Sequence, residues 1–145
     1  MGLTGRLKVY CAGAIRGDAS FSGFYREIID CVRQAGHEAL SELGSTGPAL
    51  RGAENIWERD MAWLKESDCL IAEVSGPSLG VGYEVACGLH FFRVPVLCLR
   101  HESSVRLSAM IGQNRDPLLV LKEYSDSAGL REEVLEFLRR TQEQG

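Results

Sequence analysis

Apolar positions along the chain switch between two spacings, and the switches divide it into strands and helices. Residues 6–12 (RLKVYCA) read as a first strand, followed by a turn-rich stretch over 13–18. Residues 20–35 place Phe21, Phe24, Tyr25, Ile28, Ile29 and Val32 at helical spacing, and Gly36 is a natural stop. Residues 38–43 form a weaker, short strand. Three glycines, a proline and a Ser-Thr pair make 44–52 a loop. Over 53–67, Ile56, Trp57, Met61 and Leu64 share one helical face. The continuous apolar run at 68–74 suits a central parallel strand. Residues 75–82 are a glycine-rich connection, and 83–92 resume as helix. A buried strand at 95–99, a short helix at 103–111, a last strand at 117–124 and an amphipathic helix at 130–142 complete the chain.

Strands and helices thus alternate about five times, which predicts an α/β fold. The expected form is a Rossmann-like or flavodoxin-like open sheet of about five parallel strands, with helices on both faces. No repeat, low-complexity tract or long linker divides the sequence, so residues 1–145 read as one domain. In such a sheet ligands bind at the carboxyl ends of the strands. Chemistry is therefore expected between the loops at 13–18 and 75–82.

Composition narrows the function. Hydrophobic residues at 45% and charged residues at 25% describe an ordinary soluble globular protein. Neither a membrane span nor a signal core is present, so a cytosolic or nuclear location fits. A net charge of −4 argues against DNA or RNA as partner and leaves a small anion possible. The five cysteines, Cys11, Cys31, Cys69, Cys87 and Cys98, include no CxxC pair and read mostly as small buried hydrophobes. His37, His90 and His101 show no metal spacing. No metal and no cofactor are expected.

The strongest local signal is the segment 75–84, SGPSLGVGYE, between a buried strand and a helix. Glycines such as Gly80 and Gly82 let a ligand approach the backbone, and free amides at a helix start favour an anion. Ser78 adds a hydroxyl, and Glu84 lies about one turn into the helix. A phosphate in the loop would sit within one sugar length of a carboxylate. By spacing alone, a tight turn with a solvated glutamate fits equally well. GxGxxG after the first strand and GK[ST] are both absent, which disfavours nicotinamide and triphosphate chemistry.

The first loop offers Tyr10 at the strand end and Arg16 between Gly13 and Gly17; a core tyrosine and a surface arginine are the bland alternatives. Asp60 sits on the helix ahead of the central strand. Two carboxylates in different environments can divide nucleophilic and proton-transfer work at a glycosidic carbon.

Together these segments resemble the 2′-deoxynucleoside 5′-phosphate N-hydrolases, relatives of the nucleoside 2-deoxyribosyltransferases. The resemblance spans Tyr10 to about Tyr124. It rests on Tyr10 with GAIRG at 13–17, DMAWL at 60–64, AEV at 72–74 with PSLGVGYE at 77–84, and LSAMI at 107–111. It implies a homodimer with a deoxynucleotide as small-molecule substrate. Glu84 would be the nucleophile, supported by Tyr10 and Asp60. The 5′-phosphate would meet Ser78, Arg16, and the neighbouring backbone of Gly13, Ala14, Ile15, Gly17, Gly80 and Gly82. Ser108, with Ala109 and Met110, would reach it from the partner subunit. Relatives usually carry Ser at the place of Ala14, so one hydroxyl is missing from the phosphate side.

The implied reaction is hydrolysis of the base–sugar bond of 2′-deoxynucleoside 5′-monophosphates through a glycosyl-Glu84 ester, which water opens. A transferase, in which a second base opens the ester, is the nearest alternative. A ribonucleotide phosphoribohydrolase is disfavoured because its loop carries a threonine absent here. A non-catalytic nucleotide-binding protein is the remaining possibility. The base-facing lining is expected from residues 18–24 and 42–51.

Overall fold

The computed structural model describes residues 5–15, 20–43 and 55–145. Five parallel strands form one sheet in the order β2-β1-β3-β4-β5: β1 (Lys8–Ala12), β2 (Glu38–Leu40), β3 (Cys69–Glu73), β4 (Val96–His101) and β5 (Leu119–Tyr124). The helices are α1 (Ser22–Gln34), α2 (Ile56–Glu66), α3 (Leu79–Ala86), α4 (Ala109–Gly112) and α5 (Ser127–Gln144), with a π-helical turn at Cys87–Phe91 after α3.

The two-residue alternation of each strand sorts the core into two layers. Val9, Cys11, Ile71, Leu97 and Leu99 pack with Tyr25, Ile28 and Val32 of α1 and Leu130, Val134 and Leu138 of α5. Tyr10, Ala12, Leu70, Ala72, Val96 and Cys98 face the other way, onto Leu64 of α2, Val81 and Val85 of α3, and Leu89 of the π turn. β3 is buried along its whole length, as a central strand covered on both faces must be. Gly36 ends α1 with φ of +91°, a conformation that glycine adopts without a Cβ penalty.

Several boundaries differ from the sequence reading. The second strand stops at Leu40, with Ser41 buried just beyond it. The loop expected at 44–52 lies outside the described residues. The helix expected from 83 begins at Leu79, because Ser78 caps it: its side chain accepts the Val81 amide at 3.3 Å. Gly80 and Gly82 are therefore helical, not part of a loop. That helix also does not run regularly to 92 but passes into the π turn, whose end is held where Arg93 Nη1 donates to Leu89 O and to Asp116 Oδ2. Of the helix expected at 103–111, a single turn remains at Ala109–Gly112, capped by Ser108.

Candidate active site

The order 2-1-3-4-5 puts the reversal of strand order between β1 and β3, where the chain leaves toward opposite edges and a crevice opens. A cleft of about 1470 Å³ lies there. Tyr10, Gly13 and Ile15 border it from β1 and its loop, Asp60 and Trp57 from α2, and the segment 76–86 from the connection after β3 and from α3.

Within this cleft the Tyr10 hydroxyl donates to Glu84 Oε2. Strand alternation turns Tyr10 toward the α2/α3 layer, and α3 carries Glu84 past the end of β1. Burial pushes the Glu84 carboxyl up to about 7; the Tyr10 hydrogen bond opposes this, and the negative charges of Asp60 and Glu42 add to it. Burial, with Glu84 and Asp60 beside it, likewise raises Tyr10, which stays a neutral donor. Asp60 is raised by burial, and the hydrogen bond and charge of Arg59 hold that rise in check. Two acidic groups thus keep protons nearer to neutral pH than free carboxylates do, as acid–base chemistry requires.

The start of α3 is made for an anion. Ser78 caps the eight-residue helix α3, and its hydroxyl proton remains free to donate because its oxygen receives the Val81 amide. The first amides of α3 point outward with the positive end of the helix dipole. A Cβ at Gly82 would meet nothing within 4 Å, and one at Gly80 only Ser78 Oγ at 3.9 Å. The bare glycines keep this mouth open; protein packing does not require them.

The approach to that helix is tied down from behind. Glu73, 3% exposed at the end of β3, accepts from the Ser75 amide at 2.8 Å, the Ser75 hydroxyl at 2.7 Å and the Tyr124 hydroxyl at 2.6 Å. Ser75 Oγ accepts the His101 amide at 2.7 Å, and Ser104 donates to Ser75 O at 2.7 Å. The sequence pattern does not reveal this network; its one signal is a carboxylate inside an otherwise apolar central strand.

Of the residues expected at the site, Tyr10, Gly13, Ile15, Asp60, Ser78, Gly80, Gly82 and Glu84 line the cleft, and Ser108 and Met110, expected to reach the site of a partner subunit, border the cleft of their own chain. Ala14 and Ala109 do not. Arg16 and Gly17 lie outside the described residues, as do residues 18–19 and 44–51 of the expected base-facing lining. Phe21 and Phe24, within the stretch also expected to face the base, stand apart: both rings pack against His101, and Phe24 joins the α1/α5 layer. Glu42 does line the cleft, together with Trp57, Tyr83 and Arg106, which the sequence pattern does not single out. Trp57 Nε1 donates to the Tyr83 hydroxyl at 3.3 Å, pairing two half-exposed aromatics at the rim.

The sequence model of the family described as nucleoside 2-deoxyribosyltransferase matches residues 9–129. A Methanosarcina mazei protein that carries, by assignment only, the name 2′-deoxynucleoside 5′-phosphate N-hydrolase 1 is 39% identical over 141 residues, covering 93% of this chain and 86% of that protein. The 5-hydroxymethyl-dUMP N-hydrolase of Homo sapiens is 40% identical over 117 residues, covering 76% of this chain and 67% of its own. Among solved structures, the CMP N-glycosidase BcmB of Clostridium botulinum has a similar fold, with a TM-score of 0.66 at 15% identity over 90% of this chain and 98% of that one.

Proposed function

The chain belongs to the nucleoside 2-deoxyribosyltransferase family, and from that premise we propose that it hydrolyses the N-glycosidic bond of 2′-deoxynucleoside 5′-monophosphates. The observation that carries this reading is the Tyr10–Glu84 contact in the same cleft as the anion-ready start of α3, the helix that carries Glu84. The names of the relatives, a 2′-deoxynucleoside 5′-phosphate N-hydrolase and a 5-hydroxymethyl-dUMP N-hydrolase, support the same bond and the same substrate class.

The chemistry follows from the charges. As the base departs with the bonding electron pair, the anomeric carbon becomes cationic, and the Glu84 carboxylate stabilises that charge before bonding to it. Tyr10 holds the attacking carboxylate in orientation. Asp60, raised by burial, gives its proton to the leaving base. Water then opens the glycosyl ester, returns a proton to Asp60, and leaves 2-deoxyribose 5-phosphate. The missing 2′-hydroxyl of the sugar favours the cation, because no electron-withdrawing oxygen sits beside it.

A homodimer completes this reading. The cleft exceeds the roughly 300–1000 Å³ usual for a small-molecule site. Leu79, Tyr83 and Met110 are exposed at its rim, apolar surface that a second copy carrying Ser108 would cover.

A chromatographic screen of dAMP, dGMP, dCMP, dUMP, dTMP and 5-hydroxymethyl-dUMP for released base tests the proposal, with AMP and CMP as ribose controls. Base release from at least one deoxynucleotide is expected, and it should vanish in Glu84→Gln while nucleotide binding remains. Turnover by that variant would remove the nucleophile. The family's own name favours a second reading, transfer to another base. Adding a foreign free base to the assay separates the two, since transfer would yield a new nucleotide.

A further inference from the structure

Arg59 stands behind the cleft, not on its lining, yet it touches the carboxylate on which proton transfer depends. Neighbouring positions on a helix point about 100° apart and do not normally meet. Here the long side chain of Arg59 folds across the face of α2 to reach Asp60. Its Nε donates to Asp60 Oδ1 at 2.9 Å, and Nη2 lies 2.9 Å from the same oxygen. The guanidinium carbon is 4.5 Å from the centroid of the Trp63 ring, one helical turn on. Glu42 Oε1 approaches Nη2 at 3.8 Å from the segment after β2. With 15% of its side chain exposed, the cation is held on three sides.

Such a cation is costly to bury unless charges nearby use it. Nη2 is buried and has no hydrogen-bond partner among the described residues, so directional bonding to Asp60 runs through Nε and the rest is charge. The groups facing this spot are Glu42, Glu84 from α3 and Asp60 itself, with Tyr10 of β1 beside the two carboxyls of Glu84 and Asp60. Three acids therefore share one guanidinium. The same charge lowers both Asp60 and Glu84 against the effect of their burial.

We propose that Arg59 is a positioning residue of this site: pinned by the Trp63 ring and Glu42, it fixes the orientation of the Asp60 carboxyl toward the reacting base and supplies the positive charge beside it. This rests on the reading of Asp60 as the group that manages the leaving base's proton. The guanidinium itself does not touch substrate. It acts by geometry, since a fork with Nε can bond Asp60 while its plane lies over Trp63, and by charge, since among the described residues its field reaches both carboxyls of this acidic cluster.

The test is a pH–rate and double-mutant comparison, using the deoxynucleotide that releases most base in the screen above. Arg59→Met should lower kcat about tenfold with little change in KM and move both limbs of the pH–rate profile to higher pH, because loss of a cation favours the protonated pair. Arg59→Lys should restore the position of the limbs but not the full rate, as the charge returns without the fork. In an Asp60→Asn background, Arg59→Met should change kcat on the plateau above the Glu84 limb less than about twofold. A tenfold loss in both backgrounds, or limbs that stay in place in Arg59→Met, would overturn the proposal while leaving Asp60 in its role. Unimpaired base release by Asp60→Asn would instead remove the reading of Asp60, and the role of Arg59 with it. Melting temperatures of all four variants separate these outcomes from a general loss of fold.

Discussion

The phenol of Tyr10, buried in the middle of β1, donates to the Glu84 carboxylate of α3, joining residues 74 apart in sequence. The bond is worth most when Glu84 is ionised, so it opposes the rise that burial imposes on that carboxyl. Tyr10→Phe removes the donor and leaves the burial. The ascending limb of kcat/KM, which reports ionisation of Glu84 near pH 7, is expected to move to higher pH. At pH 7 kcat should fall by about ten- to a hundredfold with KM little changed. A pH–rate profile of the two proteins checks both.

The same carboxyl makes the site a cost to the fold. The folded value for Glu84 is about 7, above the unfolded 4.5, so between those values the native protein holds a proton that the unfolded chain has lost. Stability must therefore decline as pH rises through this window. Glu84→Gln has no such proton. It is expected to match the parent near pH 4.5 and to exceed it above pH 7 by on the order of 2 kcal/mol. Chemical denaturation at pH 5 and pH 8 measures the difference; an equal gain at both would show that the carboxyl is not raised.

Much of this is legible in the chain because each signal is local. Strand β3 announces itself as an apolar run that only its last residue, Glu73, departs from, and Gly36 marks the end of α1 by its residue type alone. The SGPSLGVGYE segment, with its placement after β3, points to Glu84 and Ser78. The onset of α3 is hidden because two glycines within four residues weigh against helix, while the Ser78 cap and the packing of Val81 and Val85 on the sheet outweigh that propensity. Other features depend on partners distant in sequence. Glu73 and Tyr124 stand 51 residues apart, and Glu42 reaches Arg59 only because β2 lies beside β1. No spacing rule within one segment could bring them together.

Ser78 carries two duties that one substitution can separate. Its oxygen accepts the Val81 amide, which stabilises α3, and its proton is available to a phosphate. Ser78→Ala should cost about 1 kcal/mol of stability as a lost cap. It should also raise KM for the deoxynucleotide about tenfold. KM for the matching unphosphorylated deoxynucleoside should not change, and comparison of the two substrates reads out the phosphate contact apart from the cap.

Gly13 is required by close approach. A Cβ there would overlap the ring of Tyr25, and the ring has no free path away. Its hydroxyl donates to Cys11 O at 2.9 Å and pairs with Ser41 Oγ at 2.6 Å, fixing the ends of β1 and β2 together. Gly13→Ala is expected to destabilise the protein by about 1–3 kcal/mol, seen in denaturant titration. Because the first loop must shift to make room, the variant should also bind nucleotide more weakly. A Tyr25→Leu partner substitution, which removes the ring, should recover part of the loss caused by alanine at position 13.

Glu73 gives the last prediction, because it distinguishes a carboxylate that reacts from one that builds. Burial raises it, and the donors from Tyr124 and Ser75 pull the other way, as they do for a group meant to accept hydrogen bonds. Glu73→Ala leaves the Ser75 amide, the Ser75 hydroxyl and the Tyr124 hydroxyl without their acceptor in a closed interior, and a loss of about 3 kcal/mol or more is expected. Tyr124→Phe removes only one donor and should cost about 1 kcal/mol. If Glu73 acts by anchoring the strand-to-helix segment that ends at Ser78, Tyr124→Phe should retain kcat within about twofold and shift KM modestly. A collapse of kcat in Tyr124→Phe with an unchanged melting temperature would mean that the network takes part in the chemistry.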